Sequence, residues 1–323
     1  MGDVVISIDA ELAWGYHDLE TVPDRINDAR EGWKATLRLL EKHDVPATWA
    51  IVGHLFLDEC DGRHASHPLS PTWFPCVPGR ATPDDDWHAP DLVEAVLSAD
   101  QDHEVGSHTF SHVVLNGVTR AVADAELAEW QAAAERFDVE TESFVHPRNR
   151  VAHRDVLAER GFGCYRGPRP RRWYDDTAVR PLMKLADWSP AGLEPPIVTP
   201  TIDEYGLVDV PASLYLFSFE GTARRAAKRL GYPPVVSVAK RGIDEAVDAD
   251  GVFHMWFHPH NLLQPDGVER LDAVLEHLDR RRNETGLRVR TMGSVAREVR
   301  GEREVWVERE ARAEHEVWVE RDV

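Results

Sequence analysis

Short apolar runs alternate along this chain with stretches in which apolar residues recur every three or four positions, the pattern of strands each followed by a helix. VVISID (4–9) reads as the first strand, and EGWKATLRLLEKHD (31–44) as an amphipathic helix with Trp33, Leu37 and Leu40 on one stripe. The pattern continues with strand 46–53, helix 89–100, strand 103–108, helix 119–138, strand 143–147, helix 153–161 and strand 163–167. Beyond these it predicts strand LVDVPASLYLF (207–217), a basic helix near 222–230, a helix near 240–249, strand VFHMWFHP (252–259) and a helix over 266–285. Such an alternation predicts an α/β fold around a mostly parallel sheet.

Two stretches break the rhythm, 58–88 and 166–205, both rich in Pro, Asp, Trp or Arg. Loops of that length in a compact domain usually serve as lids or binding loops. Trp73, Trp87, Trp173 and Trp188 favour ordered, substrate-facing lids over disorder. From about residue 301 the chain carries EVWVER twice, at 304–309 and 316–321. Two copies are too few and too short for a solenoid. The organisation expected is therefore a single barrel domain over 1–300 with an acidic, dispensable appendage over 301–323.

Composition changes this picture in three ways. The 323 residues carry 57 acidic against 37 basic side chains, a formal charge of −20. The only lysines are Lys34, Lys42, Lys184, Lys228 and Lys240. Molar salt shortens the screening length to about 3 Å and removes the self-repulsion of such a surface, so a salt-loving source is expected. Nucleic acid is excluded as a natural partner. No apolar run approaches a membrane span, and MGDVVISIDA enters a strand without a leader-like segment, so the expected location is the cytoplasm. Cys60, Cys76 and Cys164 are odd in number and widely spaced, suggesting neither a disulfide framework nor a CxxC metal knuckle; they read as reduced and structural.

The candidate chemistry lies at strand ends. His108 and His112 in HEVGSHTFSH share a face if they stand on one helical turn, and with Glu11 they make the three-ligand set of an open catalytic zinc site. Asp9, two residues before Glu11 at the carboxyl end of the first strand, is placed to act as a base. Each pair alone is a weak signal, since two histidines often sit on a solvated helix and a DxE pair often binds nearby loops. Together, at the ends of two parallel strands where α/β folds assemble sites, they point to metal-assisted hydrolysis. In HMWFHPHNL (254–262), His258 stands at the strand end as a general acid, His260 is the alternative acid, and His254 reads as a core histidine. Arg148, in SFVHPRNRVAH, offers a guanidinium to hold Asp9 ionised, against the alternative of a surface ion pair.

These motifs, in the order SIDAELAWG, PATWAIVGHL, HEVGSHTFSH, SFVHPRNR, GCYRG and WFHPHNL, resemble those of the polysaccharide deacetylases of the NodB-homology group. The resemblance spans roughly residues 4 to 300 and is greatest to a subgroup found with surface-glycan synthesis genes. It implies a deformed (β/α)7 barrel, a divalent metal that is usually zinc, and removal of an acetyl group from an N-acetylated sugar. Carried onto this chain, it implies Asp9 as base, His108 and His112 as ligands, Arg148 as the arginine that tethers the base, and His258 as the acid. Where the family has two adjacent aspartates this chain has Asp9 and Ala10, so the ligand role shifts to Glu11; the alternative is that Asp9 and Glu11 exchange roles. HPRN also replaces the family's usual arginine motif. Relatives with altered first motifs act on other linear or cyclic amides, so a non-sugar amidohydrolase and an inactive carbohydrate-binding relative are the competing readings.

Two basic stretches bear on the expected partner, an N-acetylated sugar or glycan precursor. Arg166, Arg169, Arg171 and Arg172 cluster in YRGPRPRRWY, where they either bind phosphates of a phosphate- or lipid-linked glycan or pin the loop to acidic neighbours. TARRAAKRLG (222–231) has the pattern of a helix able to lie on an anionic membrane, or simply to pack with its charges solvated.

Overall fold

DVVISIDA is buried along its whole length, as a strand is when both of its faces are covered. In the computed structural model, which describes residues 2–19, 23, 26, 28–74, 86–180, 183, 187, 195–217, 229 and 234–301, this strand, β1 (Asp3–Ala10), lies at the heart of the sheet. One side of β1 pairs with β9 (Val252–Phe257). The other pairs with β2 (Thr48–Ile51) at its carboxyl half and with β10 (Arg288–Arg290) at its amino half. All three pairings are parallel. From β2 the sheet continues through β3 (Glu104–Ser107), β4 (Ser143–Phe144) and β5 (Cys164–Tyr165) to β7 (Val208–Asp209), with β6 (Thr201–Ile202) antiparallel at that end and β8 (Leu214–Tyr215) beside β9 at the other.

β7 and β8 belong to one stretch, and its two halves clasp opposite edges of the sheet. Val210 and Ala212 donate their N–H groups to the carbonyls of Tyr165 and Gly167, while Ser213 and Leu216 donate theirs to His254 and Trp256. Pro211, which has no N–H to offer a ladder, lies where the stretch passes from one edge to the other. The single strand expected over 207–217 is thus split in two, and the split closes the barrel. With β7 and β8 counted as one position, β1 to β5, that stretch and β9 make the seven parallel positions of a deformed (β/α)7 barrel.

Helices α1 (Ala29–Lys42), α2 (Pro90–Leu97), α3 (Arg120–Glu135), α4 (Arg154–Glu159), α5 (Pro234–Asp248) and α6 (Gly267–Thr285) cover the outside. α1 buries Trp33 against Trp49 of β2 in a stacked pair 5.2 Å apart, and Gly32 lets the helix close on the Pro259 carbonyl, where a Cβ would collide. α5 begins earlier than its expected 240, because Pro234 is tolerated in a first turn and Val235, Val236 and Val238 are buried. β4 and β5 are shorter than expected because the chain turns away after two residues to build the site. Inside the barrel, Val5, Ala50, Val145, Cys164, Val208, Val252 and Met292 form a cluster apart from the main core.

The loop tryptophans do not act as one group. Trp87 is buried edge-on against Trp14, and Trp73 donates to Ser111 Oγ at 2.9 Å, so this pair anchors its loop to the barrel rather than facing outward; Trp173 is 69 % exposed. Trp188, the basic helix expected near 222–230 apart from Arg229, and the EVWVER repeats lie outside the described residues. No helix among the described residues is long and apolar enough to cross a membrane.

His254, expected as a core histidine, is fully buried at the barrel seam. Its Nδ1 lies 3.2 Å from the Val210 carbonyl and its Nε2 2.8 Å from Ser7 Oγ. Burial, with Arg166 nearby, pushes it down to about 3, and burial likewise takes His146 to about 3, from an ordinary 6.5. An imidazole held neutral in the fold but protonated on unfolding contributes stability that is complete above pH 6.5 and is lost as pH falls toward 3. The urea midpoint is therefore expected to fall across that window at constant salt, and to fall less steeply in His254→Asn; an unchanged slope in the variant would count against this assignment.

Candidate metal centre and its tethered carboxylate

β1 delivers two carboxylates to the rim of the barrel. Asp9 ends the strand. Glu11 leaves it with φ −120° and ψ −16° and starts the 3-10 turn Leu12–Tyr16. Gly15 is required there, because a Cβ at that position would overlap the Glu11 carboxylate. Both acids line a cavity of about 280 Å³ with Tyr16, His112, Arg148, Asn149, Trp256 and His258.

The two histidines of HxxxH meet without the expected helical turn. β3 ends at Ser107, and residues 108–114 form a loop in which Thr109 (φ 63°) and His112 (φ 57°) adopt the left-handed conformation that side chains ordinarily avoid. Those turns, rather than a shared helix face, bring the two rings to 5.0 Å. The loop is held from both sides. Thr109 and Phe110 accept from the N–H groups of Gly53 and His54, and buried Glu126 accepts from Ser111 N–H at 2.8 Å and Ser111 Oγ at 2.5 Å. Burial raises Glu126, but its hydrogen bonds from His67 and Ser111 outweigh this and hold it below the usual carboxylate range.

Glu11, His108 and His112 converge, all three buried, with their donor atoms within 4.8 Å of one another. Glu11 Oε2 lies 3.5 Å from His108 Nε2 and 3.0 Å from His112 Nε2. Nitrogen and oxygen donors around a tetrahedral zinc stand about 3.3 Å apart, so these separations fit such an ion. His108 Nδ1 is engaged by the Val145 carbonyl at 2.8 Å, while its Nε2 is buried without a hydrogen-bond partner. A carbonyl on one ring nitrogen fixes the tautomer and ring orientation that a metal-binding imidazole needs at the other. Burial keeps His112 below the usual imidazole range despite the nearby carboxylate, which favours the neutral ring a metal requires. Burial would raise Glu11, yet His258, His112 and His108 together hold it well below the usual range.

Asp9 is held by Arg166, not by Arg148. Arg166 is fully buried. Its Nη1 donates to Asp9 Oδ1 at 2.6 Å and to Ser7 Oγ at 3.0 Å, its Nη2 to Asp9 Oδ2 at 2.8 Å and Asn149 Oδ1 at 3.0 Å, and its Nε to Asn149 Oδ1 at 3.1 Å. The five N–H groups of a guanidinium are thereby all engaged. Its plane also lies 4.3 Å over the Trp256 ring. Burial pushes Asp9 upward, but the Arg166 charge and hydrogen bonds, with His108 and His258 behind them, more than offset it and hold Asp9 below the usual carboxylate range.

Arg148 sits at the mouth of the cavity, 44 % exposed, with its Nη2 on Asp18 at 2.6 and 2.7 Å. Left-handed φ values at Arg148 (54°) and Asn149 (51°) explain the difference from expectation: the turn leaves Arg148 at the rim and brings Asn149 under Arg166. Asn149 and Gly15 were not expected at the site, and Arg166 was expected to bind phosphate or pin its loop rather than to hold Asp9. Counting by two from Cys164, which packs inside the barrel, would have placed Arg166 on the interior face. The other arginines of that cluster are pinned to acids, Arg169 to Asp175, Arg171 to Asp176 and Arg172 to Asp187, as the second of the two readings holds.

His258 lines the cavity with its Nε2 3.5 Å from Glu11 Oε1 and 3.9 Å from Asp9 Oδ2. His260 is 6 % exposed, and its Nε2 meets the Tyr16 hydroxyl at 3.1 Å. Of the two candidate acids, His258 is the one on the cavity wall.

Residues 21–160 match the family model for polysaccharide deacetylase, a span that includes His108 and His112 but stops short of Asp9, Glu11, Arg166 and His258. That span resembles the polysaccharide deacetylases, and the fold of the chain is similar to a solved structure named for them. No curated protein matches it. Among solved structures, it is similar to a Mycobacterium smegmatis protein named for the polysaccharide deacetylases (16 % identity, 93 % of this chain and 91 % of that one, TM-score 0.60). A Pseudomonas aeruginosa PAO1 protein named in the same way is comparable (12 %, 91 % and 89 %, 0.55), as is the PuuE allantoinase (13 %, 91 % and 88 %, 0.56). At such identities the likeness is one of fold.

The two arginines separate cleanly in energy. Removing one partner of a buried pair costs about 3–5 kcal/mol, whereas an exposed pair contributes about 0.2–1 kcal/mol. Arg166→Met is expected to lower unfolding stability by the larger amount and Arg148→Ala by no more than the smaller, read from urea titrations. Equal losses would contradict the tether made by Arg166.

Proposed function

We propose that the protein is a metal-dependent hydrolase that removes an N-acetyl group from a sugar or glycan precursor. The observation that carries this reading is the convergence of Glu11, His108 and His112 beside the tethered carboxylate of Asp9, in a chain whose residues 21–160 match polysaccharide deacetylases. A divalent ion, zinc by donor chemistry, would be held by those three side chains and would polarise both water and the amide carbonyl.

The residues of the chain supply the proton transfers. Asp9, kept ionised and fixed in orientation by Arg166, is placed to take a proton from the attacking water. His258, on the cavity wall, is placed to give one to the departing amine. Trp256, partly exposed in the same wall, offers an apolar face to a sugar ring, and Arg148 at the mouth offers donors to its hydroxyls. The likeness to an allantoinase supports a second reading, hydrolysis of a non-sugar amide by the same groups. The charge of −20 supports a working medium of molar salt, and the proposed location is the cytoplasm.

Purified in molar salt, the protein is expected to carry a divalent ion that His108→Ala and Glu11→Ala lose from this site, and to release acetate from N-acetylated sugar oligomers. Asp9→Asn should keep the ion while lowering kcat about 10²–10⁴-fold. Acetate release absent with sugars but hydrolysis present with ureide or lactam substrates would select the second reading. Loss of metal with unchanged turnover would overturn both. Activity should rise from low to molar salt; unfolding in molar salt would refute the halophilic reading.

A further inference from the structure

We infer that the protein holds a second metal site, a thiolate-containing zinc site formed by His54, Cys60 and His64, apart from the Glu11 centre. The three side chains present donor atoms that all lie within 4.8 Å of one another. His64 Nε2 is 3.2 Å from His54 Nε2 and 3.2 Å from Cys60 Sγ. One proton on His64 Nε2 points along one line and bridges only one of these pairs, whereas a cation is shared by all three. Donors around a tetrahedral zinc with a thiolate ligand stand about 3.3–3.6 Å apart, within a few tenths of an ångström of what is observed.

The surroundings are those of a ligand set. His54 is fully buried, and its Nδ1 lies 2.9 Å from the Phe110 carbonyl; an N–H donated there leaves the Nε2 lone pair aimed into the cluster. Cys60 Sγ accepts an N–H from Gly62 at 3.3 Å, in a turn that Gly62 makes with φ 74°. A backbone N–H on sulfur stabilises thiolate, the form that binds metal. Trp14, Phe110 and Phe74 pack round the His54 ring at 4.0, 3.9 and 5.6 Å, while Cys60 and His64, only half-buried, leave a route to solvent. Sulfur with two imidazoles suits zinc over harder cations such as magnesium or calcium. On this proposal Cys60, expected to be reduced and structural, serves as a ligand.

The site would also support the first one. Phe110 sits between His108 and His112, its carbonyl takes both the N–H and the ring of His54, and Trp14 follows Glu11 on the same turn. A cation on His54, Cys60 and His64 thus fixes the segment 54–64 against both ligand-bearing loops.

The two sites differ in having sulfur, so cobalt distinguishes them. Apoprotein in molar salt, titrated with Co²⁺, is expected to develop a near-ultraviolet thiolate-to-cobalt charge-transfer band. Cys60→Ser and His64→Ala should lose it, with zinc content falling from about two to about one ion per chain. Glu11→Ala should lose the other ion and keep the band, so the outcome does not depend on the deacetylase reading. A wild-type protein without the band, or a band undiminished in Cys60→Ser, would overturn the proposal. X-ray absorption of the wild-type zinc protein gives a check that needs no variant: sulfur in the zinc shell supports the site, and an all-nitrogen and oxygen shell refutes it.

Discussion

A guanidinium with every N–H engaged, buried in the barrel, is the constraint around which this site is built. A buried guanidinium charge demands a carboxylate, and Asp9 meets that of Arg166 with two oxygens. The remaining donors fix Ser7 and Asn149, and Ser7, accepting from Arg166, turns its own hydroxyl proton to His254 Nε2. That orientation requires His254 neutral with its proton on Nδ1 toward Val210, in agreement with its depressed pKa. A single charge thereby sets protonation and rotamer from the Asp9 carboxylate at the rim to the seam where the barrel closes.

The same pair organises the electrostatics of the rim. Asp9 and Glu11 are both anionic and close together, a juxtaposition that by itself would force one of them to take a proton. Arg166 neutralises Asp9 from below, so the Glu11 charge is left to the histidines in front of it. The two carboxylates are thus given different surroundings by position alone, one turned to a fixed cation and the other to the ring nitrogens of His108 and His112.

What the sequence made legible follows from periodicity. Strands buried on both faces and helices with one apolar stripe are written in local patterns, so the α/β alternation and the strand ends bearing Asp9, His108 and His258 could be read directly. Features set by single backbone dihedrals could not. Thr109, His112, Arg148 and Asn149 adopt left-handed conformations that no apolar pattern announces, and these decide that HxxxH is a loop and that Arg148 stays at the rim. Arg166 was obscured differently, by standing first in a run of arginines whose other members are surface residues pinned to acids. The His54, Cys60 and His64 cluster was hidden because its spacing matches no familiar knuckle, and only the fold brings its half-buried loop back onto His54.

The position of β1 in the sheet has a consequence for how the chain is made. Its carboxyl-half partner β2 follows within some forty residues, but β9 and β10, which cover its other edge and its amino half, come near the end of the chain. During synthesis from the ribosome, the strand that leads to Asp9 and Glu11 therefore waits with an open hydrogen-bonding edge until residues 252–290 have emerged. The clasp of Val208–Tyr215 cannot close before β9 is present to receive its second half. Until β9 and β10 have been made the nascent barrel is an incomplete sheet, and the rim bearing Asp9 and Glu11 cannot be completed before them.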